Sequence, residues 1–369
     1  MKNYKTLDSI CSITSSKRIF ANEYQKNGIP FYRGKEIIEL ANGAKPSTEI
    51  FIDHSKFLEI SRKFGIPQND DILITAVGTL GVSYLVKNET FYFKDGNLIW
   101  IKNISSTILP KYLYYYFKSN TFINCINTLA IGSTQQAITI DRLKTIRIPV
   151  EDIFIQQHIV DTIGSIDDLI ENKQRENEYL TKLGKRLYSI QNDSDTVLAT
   201  KKISFIKGIE TGSKEYQEIK TDENVEYFRV GDMNSLESKT YVSKKYLQYA
   251  NAQLGDVFIS LDGDPGRVGF TIDGCYSGSL KKLVSSSIKN GYLYFWALSD
   301  QTKQCINEHA FGTTILHAGK SLEYLQINKN IDSELMNQID SVYSLMVDNV
   351  KVIKKLTALK HLFLNKFFG

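Results

Sequence analysis

The amino-acid sequence predicts an α+β fold with two pseudo-repeated globular α/β units, each followed by one long helix. Three observations predict it: the second half of the chain repeats patterns of the first, two segments carry apolar residues at helical spacing, and short β-rich runs fill the remainder. At a typical domain size of about 150 residues, the 369 residues allow two to three domains, so each unit can bury a core.

The repeat emerges when the chain is compared with itself at an offset of 180 residues. The tripeptide Cys-Ile-Asn at 125–127 returns at 305–307, and with a small shift DILITAVGTLG (71–81) matches GDVFISLDGDPG (255–266). Internal similarity of this kind indicates one structural unit used twice. We therefore expect the second globular unit to resemble the first.

Four segments follow from this pattern. We expect globular units at residues 1–150 and 197–333, a central helix at 151–196 and a C-terminal helix at 334–369. The runs DILITAV, VFISL and RVGFTI, split by Gly, Asn and Asp turns, predict a twisted, largely antiparallel sheet in each unit. The aromatic segments PKYLYYYFKSN and GYLYFWALSD predict a helix at the same place in both units.

Both predicted long helices carry an apolar stripe. Apolar residues recur mostly three, four or seven positions apart, which is the spacing of one helix face, and each stripe runs for about 30 residues or roughly 45 Å. A stripe of this length needs a partner, so the two helices are expected to bury each other. The alternative interpretation is an ordinary core helix in each unit.

Charge is distributed unevenly along the chain. Residues 1–150 carry 19 basic and 12 acidic side chains, net +7, and residues 151–196 carry 5 and 10, net −5. Residues 197–333 are balanced at 16 and 16, and residues 334–369 have 5 and 3, so the whole chain is only +4. The basic first unit suits an anionic partner, whereas the balanced second unit favours no partner on charge alone.

Several function classes find no support in the sequence. The four cysteines are widely spaced without a CxxC and the five histidines are scattered, so neither a disulfide scaffold nor a zinc or triad site is expected. HAGKS (317–321) lacks the earlier glycine of a phosphate-binding loop, and no Asn-Pro-Pro-aromatic tetrad of an amino-methylating enzyme occurs. The sequence favours a binding protein over an enzyme, with no metal or cofactor of its own.

Membrane and secretion signals are absent from the sequence. No run of about eighteen apolar residues occurs, and the N-terminal MKNYKTLDSICSITSS lacks the apolar core of a secretory signal. We therefore expect a soluble, cytoplasmic protein without a membrane partner.

Three local motifs resemble one known family. They are IPFYRGKEI (29–37), NDDILITAVGTLG (69–81) and IGSTQQAITIDRLKTIRIPVEDIFIQQHIV (131–160), the last of which leads into the first long helix. Together with the repeat and the long helices, they resemble the specificity (S) subunit of type I restriction-modification systems. The second half departs from the pattern, because GTTILHAGKSLEYLQINKN (312–330) has no Ile-Pro step.

The resemblance implies a non-catalytic DNA reader that serves in defence against foreign DNA. Each globular unit would be a target recognition domain that reads one half of a bipartite site in double-stranded DNA, and the helices would form an antiparallel spacer. The same helices would dock two modification (methyltransferase) subunits, and restriction (helicase-nuclease) subunits would join that complex. S-adenosylmethionine, ATP and Mg²⁺ would then belong to these partner subunits and not to this chain. The residues expected at this subunit interface are Ile159, Ile166, Ile170, Leu180, Leu187, Met346, Ile353, Leu356 and Phe363.

Candidate DNA contacts combine charge, amides and hydroxyls. Arg33 and Lys35 offer charge for phosphates, Tyr32 offers a planar group for base edges, and the amides of Gln135 and Gln136 can make bidentate contacts to adenine. The full set of expected contacts is Tyr32, Arg33, Lys35, Thr79, Ser133, Thr134, Gln135, Gln136, Lys144 and Arg147 in the first unit, and Arg229, Arg267, Thr313, Thr314 and Lys320 in the second.

Two other functions remain open at this point. A self-sufficient DNA methyltransferase or nuclease would also bind DNA, although the missing catalytic tetrad counts against it. A helical scaffold protein that does not touch DNA would account for the acidic helix and the balanced second unit. Methyl transfer or DNA cleavage by the chain alone would support the enzyme, whereas salt-sensitive binding to duplex DNA would argue against the scaffold protein.

Overall fold

The computed structural model describes residues 3–130, 137–190, 195–312 and 316–369. The chain divides into two compact units: unit 1 comprises residues 1–171 and 356–369, and unit 2 comprises residues 172–355. Each unit mixes strands and helices, which confirms the predicted α+β class.

Unit 1 contains two four-stranded sheets with the strand orders β2-β9-β6-β7 and β3-β5-β4-β8, and a separate antiparallel pair of β1 with β10. All pairings in these sheets are antiparallel except that of β4 with β8, which is parallel. The strands are β1 (Asn3–Thr6), β2 (Ser12–Thr14), β3 (Tyr24–Gln25), β4 (Ile29–Tyr32), β5 (Phe51–Ile52), β6 (Ile72–Thr75), β7 (Ser83–Leu85), β8 (Tyr92–Phe93), β9 (Leu98–Lys102) and β10 (Arg147–Val150).

Five helices described in the lobe of unit 1 connect these strands, and a sixth leaves it. They are α1 (Gly34–Ala41), α2 (His54–Phe64), α3 (Pro110–Phe117), α4 (Asn120–Ala130), α5 (Ile140–Lys144) and α6 (Ile153–Tyr188). Asp53 caps α2, since its carboxylate accepts a hydrogen bond from Ser55 N at 2.8 Å, and Pro110 opens α3 at a position where its missing N–H costs nothing. The aromatic segment therefore forms the helix that its sequence predicts.

Unit 2 contains sheets with the orders β12-β20-β16-β18 and β14-β13-β19-β15 and the pairs β11 with β22 and β17 with β21, and β13 pairs with β19 in parallel. The strands are β11 (Thr196–Leu198), β12 (Ser204–Lys207), β13 (Asn224–Phe228), β14 (Tyr241–Ser243), β15 (Asn251–Ala252), β16 (Val257–Ser260), β17 (Asp262–Gly263), β18 (Val268–Gly269), β19 (Gly274–Tyr276), β20 (Leu280–Val284), β21 (Leu316–His317) and β22 (Gln326–Asn328). The helices that follow are α7 (Asn290–Ala297), α8 (Asp300–Glu308) and α9 (Ser333–Phe368).

The central strand of each unit is buried on both faces. In β6, Ile72 and Ile74 pack into the cluster that contains the aromatic residues of α3, whereas Leu73 packs into a second cluster on the opposite face. In β16, Val257 and Ile259 pack into one cluster, whereas Phe258 packs into another on the opposite face. Alternate side chains of a strand point to opposite faces, so continuous apolar runs mark strands that are covered on both sides.

Each long helix spans 36 residues and contributes to both units. In unit 1, His158 of α6 contacts Phe367 of α9 with ring centroids 6.3 Å apart, and Asp167 pairs with Lys360. In unit 2, Asn349 Nδ2 donates to Asn177 Oδ1 at 2.9 Å. Within unit 1, rising numbers along α6 meet falling numbers along α9, so these segments run antiparallel.

Candidate functional site

One end of unit 1 gathers loops from separate parts of the chain. The turn after β8 joins the end of β4, because Lys94 N donates to Tyr32 O at 2.8 Å. Ala76 N donates to Asn97 O at 2.8 Å, and Ile138 N donates to Ala76 O at 2.9 Å. We call this end the unit 1 loop edge; it comprises residues 33–35, 76–82, 94–97 and 137–138.

A buried threonine holds the central loop of this edge. Thr75 Oγ1 donates to Thr79 O at 2.5 Å and accepts from Val82 N at 2.9 Å, while Gly81 N donates to Thr75 O at 2.9 Å. Gly78 and Gly81 have φ values of +78° and +75°, a conformation that a glycine adopts without steric cost. The loop is therefore held at its base and presents Thr79 to solvent.

Unit 2 gathers its loops in the same way. Ser277 N donates to Phe228 O at 2.9 Å, Leu261 N donates to Ser279 O at 3.3 Å, and Ala318 N donates to Leu261 O at 2.7 Å. These bonds join the end of β13, the turn after β19, the loop after β16 and the segment that begins with β21. We call this end the unit 2 loop edge; it comprises residues 229, 261–267, 277–279 and 317–320.

A buried serine holds the central loop of unit 2. Ser260 Oγ donates to Asp264 O and accepts from Arg267 N at 3.1 Å, while Gly266 N donates to Ser260 O at 2.9 Å. Gly263 and Gly266 have φ values of +82° and +83°. A strand-terminal hydroxyl and two glycines thus shape this loop as they shape its counterpart in unit 1.

Two predicted DNA contacts of unit 1 lie at its loop edge as cations. Arg33 N donates to Glu36 Oε2 at 2.8 Å and its Nη2 donates to Oε1 at 2.9 Å. The hydrogen bond to Glu36 raises the pKa of Arg33, so the guanidinium keeps its charge at the start of α1. Lys35 is exposed, with its Nζ 3.9 Å from the Glu39 carboxylate. Thr79 joins them on the neighbouring loop.

Tyr32 was expected to offer its ring at the surface, and the structure corrects this expectation. The residue is only 6% exposed, and its ring stacks on Phe91 with centroids 4.7 Å apart. It belongs to the cluster that also contains Ile37 and Leu73, because β4 lies inside its sheet and α1 covers this face. The Tyr32 side chain therefore builds the support of the loop edge and is not available for a base.

Lys144 and Arg147 lie apart from the unit 1 loop edge. Lys144 Nζ donates to Asp141 at 3.1 Å within α5, and Arg147 is exposed on β10. Leu7 N donates to Ile146 O at 2.9 Å, so the segment that carries Lys144 and Arg147 lies near the residues that precede β2. The unit 1 loop edge lies at the opposite end of β2, where Ser15 donates to Leu98 O. The structure does not bring these two residues together with Arg33.

The predicted contacts of unit 2 come together at its loop edge. Arg229 follows β13 and is exposed, with its Nε 3.7 Å from Asp232. Arg267 closes the serine-held loop, with its Nη1 4.0 Å from Asp264, and Lys320 is exposed on a short 3-10 turn. Three basic residues from distant parts of the sequence thus share this edge.

Sequence reasoning missed other charged residues at these edges. Arg18 Nε donates to Asp95 at 2.8 Å, which brings it to the turn that also contains Lys94. In unit 2, Lys281 Nζ donates to Gly278 O at 3.2 Å, and burial lowers the pKa of this lysine. The Lys-Asp-Gly turn between two short apolar runs is a local signal that could have placed Lys94, but only strand pairing brings Arg18 to it.

Two features are absent from the described residues. Within the described ranges, no group of three or more His, Cys, Asp or Glu side chains is arranged to hold a metal ion. Nor is any helix in the described part of the chain long and apolar enough to cross a bilayer.

Six of the predicted DNA contacts lie outside the described residues. They are Ser133, Thr134, Gln135, Gln136, Thr313 and Thr314.

Four of the nine residues predicted for the subunit interface are buried inside the chain, which corrects their assignment. In unit 1, Ile159 belongs to the main core cluster, as do Leu364 and Phe368 at the end of α9. An amphipathic helix buries its most apolar face first, so side chains used in this way cannot also cover a partner. The corrected residues are Ile159 and Ile166 in unit 1 and Met346 and Ile353 in unit 2, whereas Ile170, Leu356, Phe363, Leu180 and Leu187 are half-buried and stay predictions.

Other apolar side chains of the long helices remain exposed. In unit 1, Leu359 and Leu362 lie three residues apart on α9 and are 40% and 66% exposed. In unit 2, Leu345 and Val352 lie seven residues apart on the same helix and are 52% and 39% exposed. Both spacings place the two side chains on one helix face. Each unit therefore presents an apolar pair of its own on α9.

Comparison with known proteins agrees with this architecture. Residues 1–182 match the family model for the type I restriction modification DNA specificity domain. A putative type I restriction enzyme specificity subunit of Haemophilus influenzae is 31% identical over 189 residues, covering 48% of this chain and 46% of that relative. The specificity subunit of the type I restriction enzyme MjaIX of Methanocaldococcus jannaschii is 28% identical over 181 residues, covering 42% and 41%. The chain spans about half the length of these curated relatives.

A solved structure extends the likeness of the fold to the whole chain. The crystal structure of the type I restriction-modification system S subunit from M. genitalium aligns with 100% of this chain and 96% of its own, at a TM-score of 0.52 and 17% identity. At that identity the match establishes the fold alone. Residues 1–182, just under half of the chain, match the type I restriction modification DNA specificity domain, which confirms the resemblance that the motifs carry.

Proposed function

We propose that the chain is a non-catalytic, sequence-specific DNA-binding subunit of a type I restriction-modification complex, in which each unit reads one half of a bipartite site. The recurrence of one arrangement carries the proposal: a hydroxyl-held glycine loop beside exposed arginines, at the same end of equivalent sheets in both units. Such an edge offers cations for phosphates and rigidly placed side chains for base edges. On this proposal the two units are pseudo-repeated copies of one target recognition domain.

The basic residues of unit 1 suit the phosphate backbone. Arg18 and Arg33 each pair with one carboxylate, but both remain on the surface, with side chains 66% and 38% exposed. Lys35 and Lys94 add to the positive charge of this edge. Each phosphate that a protein neutralises releases counterions, so binding is expected to weaken steadily as salt rises. The net charge of +7 on residues 1–150 acts in the same direction.

The long helices would serve as a spacer. Each of α6 and α9 has 36 residues and is therefore about 54 Å long, which exceeds one turn of DNA at roughly 34 Å. A rigid antiparallel pair, resembling a coiled coil, would hold the separation of the two half-sites constant, whereas a flexible linker would not. Asn177 and Asn349, which are hydrogen-bonded side chain to side chain, would help to keep the register of such a pair.

Docking of methyltransferase subunits would use the exposed apolar pairs on α9. The proposed contacts are Leu359 and Leu362 in unit 1 and Leu345 and Val352 in unit 2, because these apolar side chains are exposed on α9. Two apolar pairs, one per unit, suit two methyltransferase subunits. S-adenosylmethionine, ATP and Mg²⁺ would belong to these and to the restriction subunits, and the complex would act on double-stranded DNA in the cytoplasm.

Selection from a random duplex library tests the proposal. The full chain is co-purified with its methyltransferase subunits, bound duplexes are sequenced, and the affinity for the selected duplex is measured between 50 and 200 mM salt, a range over which several phosphate contacts cost orders of magnitude in affinity. We expect a split, non-palindromic site of constant spacing and a steep salt dependence. A library without enrichment would overturn DNA reading, and methyl transfer by the chain alone would overturn its non-catalytic role.

A further inference from the structure

One bridged pair of residues differs in chemistry between the two loop edges although its antiparallel pairing is shared. In unit 1, Val77 pairs with Ala137 as an antiparallel bridge between the threonine-held loop and the segment after it. In unit 2, Asp262 pairs with His317 at the corresponding place, in the short β17–β21 ladder beside the serine-held loop. The unit 1 pair is apolar and small, whereas the unit 2 pair is polar and can form hydrogen bonds.

The unit 2 pair is joined through its side chains as well as its backbone. His317 Nδ1 and Asp262 Oδ1 lie 2.7 Å apart, a hydrogen-bond distance between an imidazole and a carboxylate. Since a carboxylate accepts hydrogen bonds, this contact leaves Nε2 as the ring atom that can meet a ligand. The side chains of His317 and Asp262 are 50% and 31% exposed, so the pair is open to the surface.

The backbone of His317 is also pinned from its other side. Its N donates to Phe311 O at 2.8 Å, and its carbonyl accepts from Phe311 N at 3.0 Å. A residue that is paired on both sides has little freedom to reorient, and the bond to Asp262 fixes the ring as well. Precise placement of a polar side chain is what discrimination between base edges requires.

Exposed differences on a common scaffold are where two half-sites can be told apart. We infer that the Asp262–His317 pair is a base-discriminating site of unit 2, which reads a hydrogen-bonding base edge in the major groove through His317 while Asp262 positions the ring. The Val77–Ala137 pair is its counterpart in unit 1 and meets an apolar edge, such as the C5 methyl of thymine. This inference rests on the proposed function, since it names the chemistry by which the loop edges read DNA.

The test exchanges the pairs between the units. The full chain carrying D262V and H317A, co-purified with its methyltransferase subunits, is taken through the same random-duplex selection as the unaltered chain. We expect one base position in one half-site to lose its preference by about ten- to hundred-fold, the discrimination of one good base contact, with thymine favoured in its place. The reciprocal chain, with V77D and A137H, should change one position in the other half-site.

Conservative variants separate base reading from folding. H317Q keeps a hydrogen-bonding side chain and should retain part of the preference, whereas D262N should weaken the preference without changing the salt dependence of binding. In every variant the untouched half-site reports whether the chain is folded. Unchanged preferences in both half-sites, or an equal loss in both, would overturn the inference. If the unaltered chain selects no site, the proposed function itself fails, and the inference fails with it.

Discussion

Thr75 and Ser260 act at the scale of single residues, where one hydroxyl decides the shape of a loop. Both are fully buried at the end of a central strand, and both donate to a loop carbonyl and accept from the backbone N–H that closes the loop. A buried hydroxyl with both partners satisfied stabilises the fold, while its removal leaves those partners without a bond. The loops that we propose to face DNA therefore depend on residues that never touch it.

Replacing Thr75 by alanine tests this dependence. T75A should lower the free energy of unfolding by about 1–3 kcal/mol and weaken reading of one half-site only, because Val82 N loses its acceptor. Urea unfolding and duplex selection measure the two effects. T75S is the matched control, since unit 2 carries serine at the corresponding place, and it should retain most of both properties. Equal damage from T75S and T75A would contradict the role of the hydroxyl.

At the scale of elements, the long helices divide their apolar residues between two tasks. On α9, Ile353 is 4% exposed, whereas its neighbour Val352 is 39% exposed. Hydrophobic stabilisation is proportional to the area removed from water, so Ile353 contributes more to stability than Val352 does. Periodicity in the sequence indicated the helix and its stripe, but the stripe was wide enough to serve both a core and a surface.

Two charge substitutions on adjacent residues separate these tasks. I353E should lower the free energy of unfolding by at least about 2 kcal/mol, since it places an unpaired charge at a buried position of α9 in unit 2. V352E should change it by no more than about 0.5 kcal/mol, as exposed substitutions usually do. Urea titration followed by far-ultraviolet circular dichroism measures both. Similar free energies of unfolding for the two variants would show that the Ile353 side chain is not buried.

At the scale of the whole molecule, assembly depends on surfaces that the fold leaves uncovered. Each unit presents an apolar pair on α9, and exposed apolar residues that lie together mark sites of interaction with other proteins. The predictions of Ile159, Ile166, Met346 and Ile353 as interface residues were wrong, because these apolar side chains are buried inside the chain itself. The exposed apolar pairs on α9 remain available for partner proteins.

Introducing charge at the exposed apolar pair of unit 1 tests the docking proposal. L359E with L362E in unit 1 should release one methyltransferase subunit from the purified complex, because two glutamates replace the apolar pair that we propose to bury there. Native mass spectrometry counts the subunits that remain. K366E, at another exposed position of α9 in unit 1, is the matched control and should keep both subunits. A complex of unchanged composition in the leucine variant would place docking elsewhere.

Local patterns in the sequence were sufficient for the α+β class, the long helices and the family. Helical spacing, short apolar runs and glycine-rich motifs are properties of neighbours in the chain, and neighbours determine secondary structure. Part of the candidate site was beyond such patterns. The burial of Tyr32 and the bond between Asp262 and His317, 55 residues apart, depend on which strands pair and which faces they cover. Only the tertiary structure decides those, because contacts between distant residues follow from packing of whole elements.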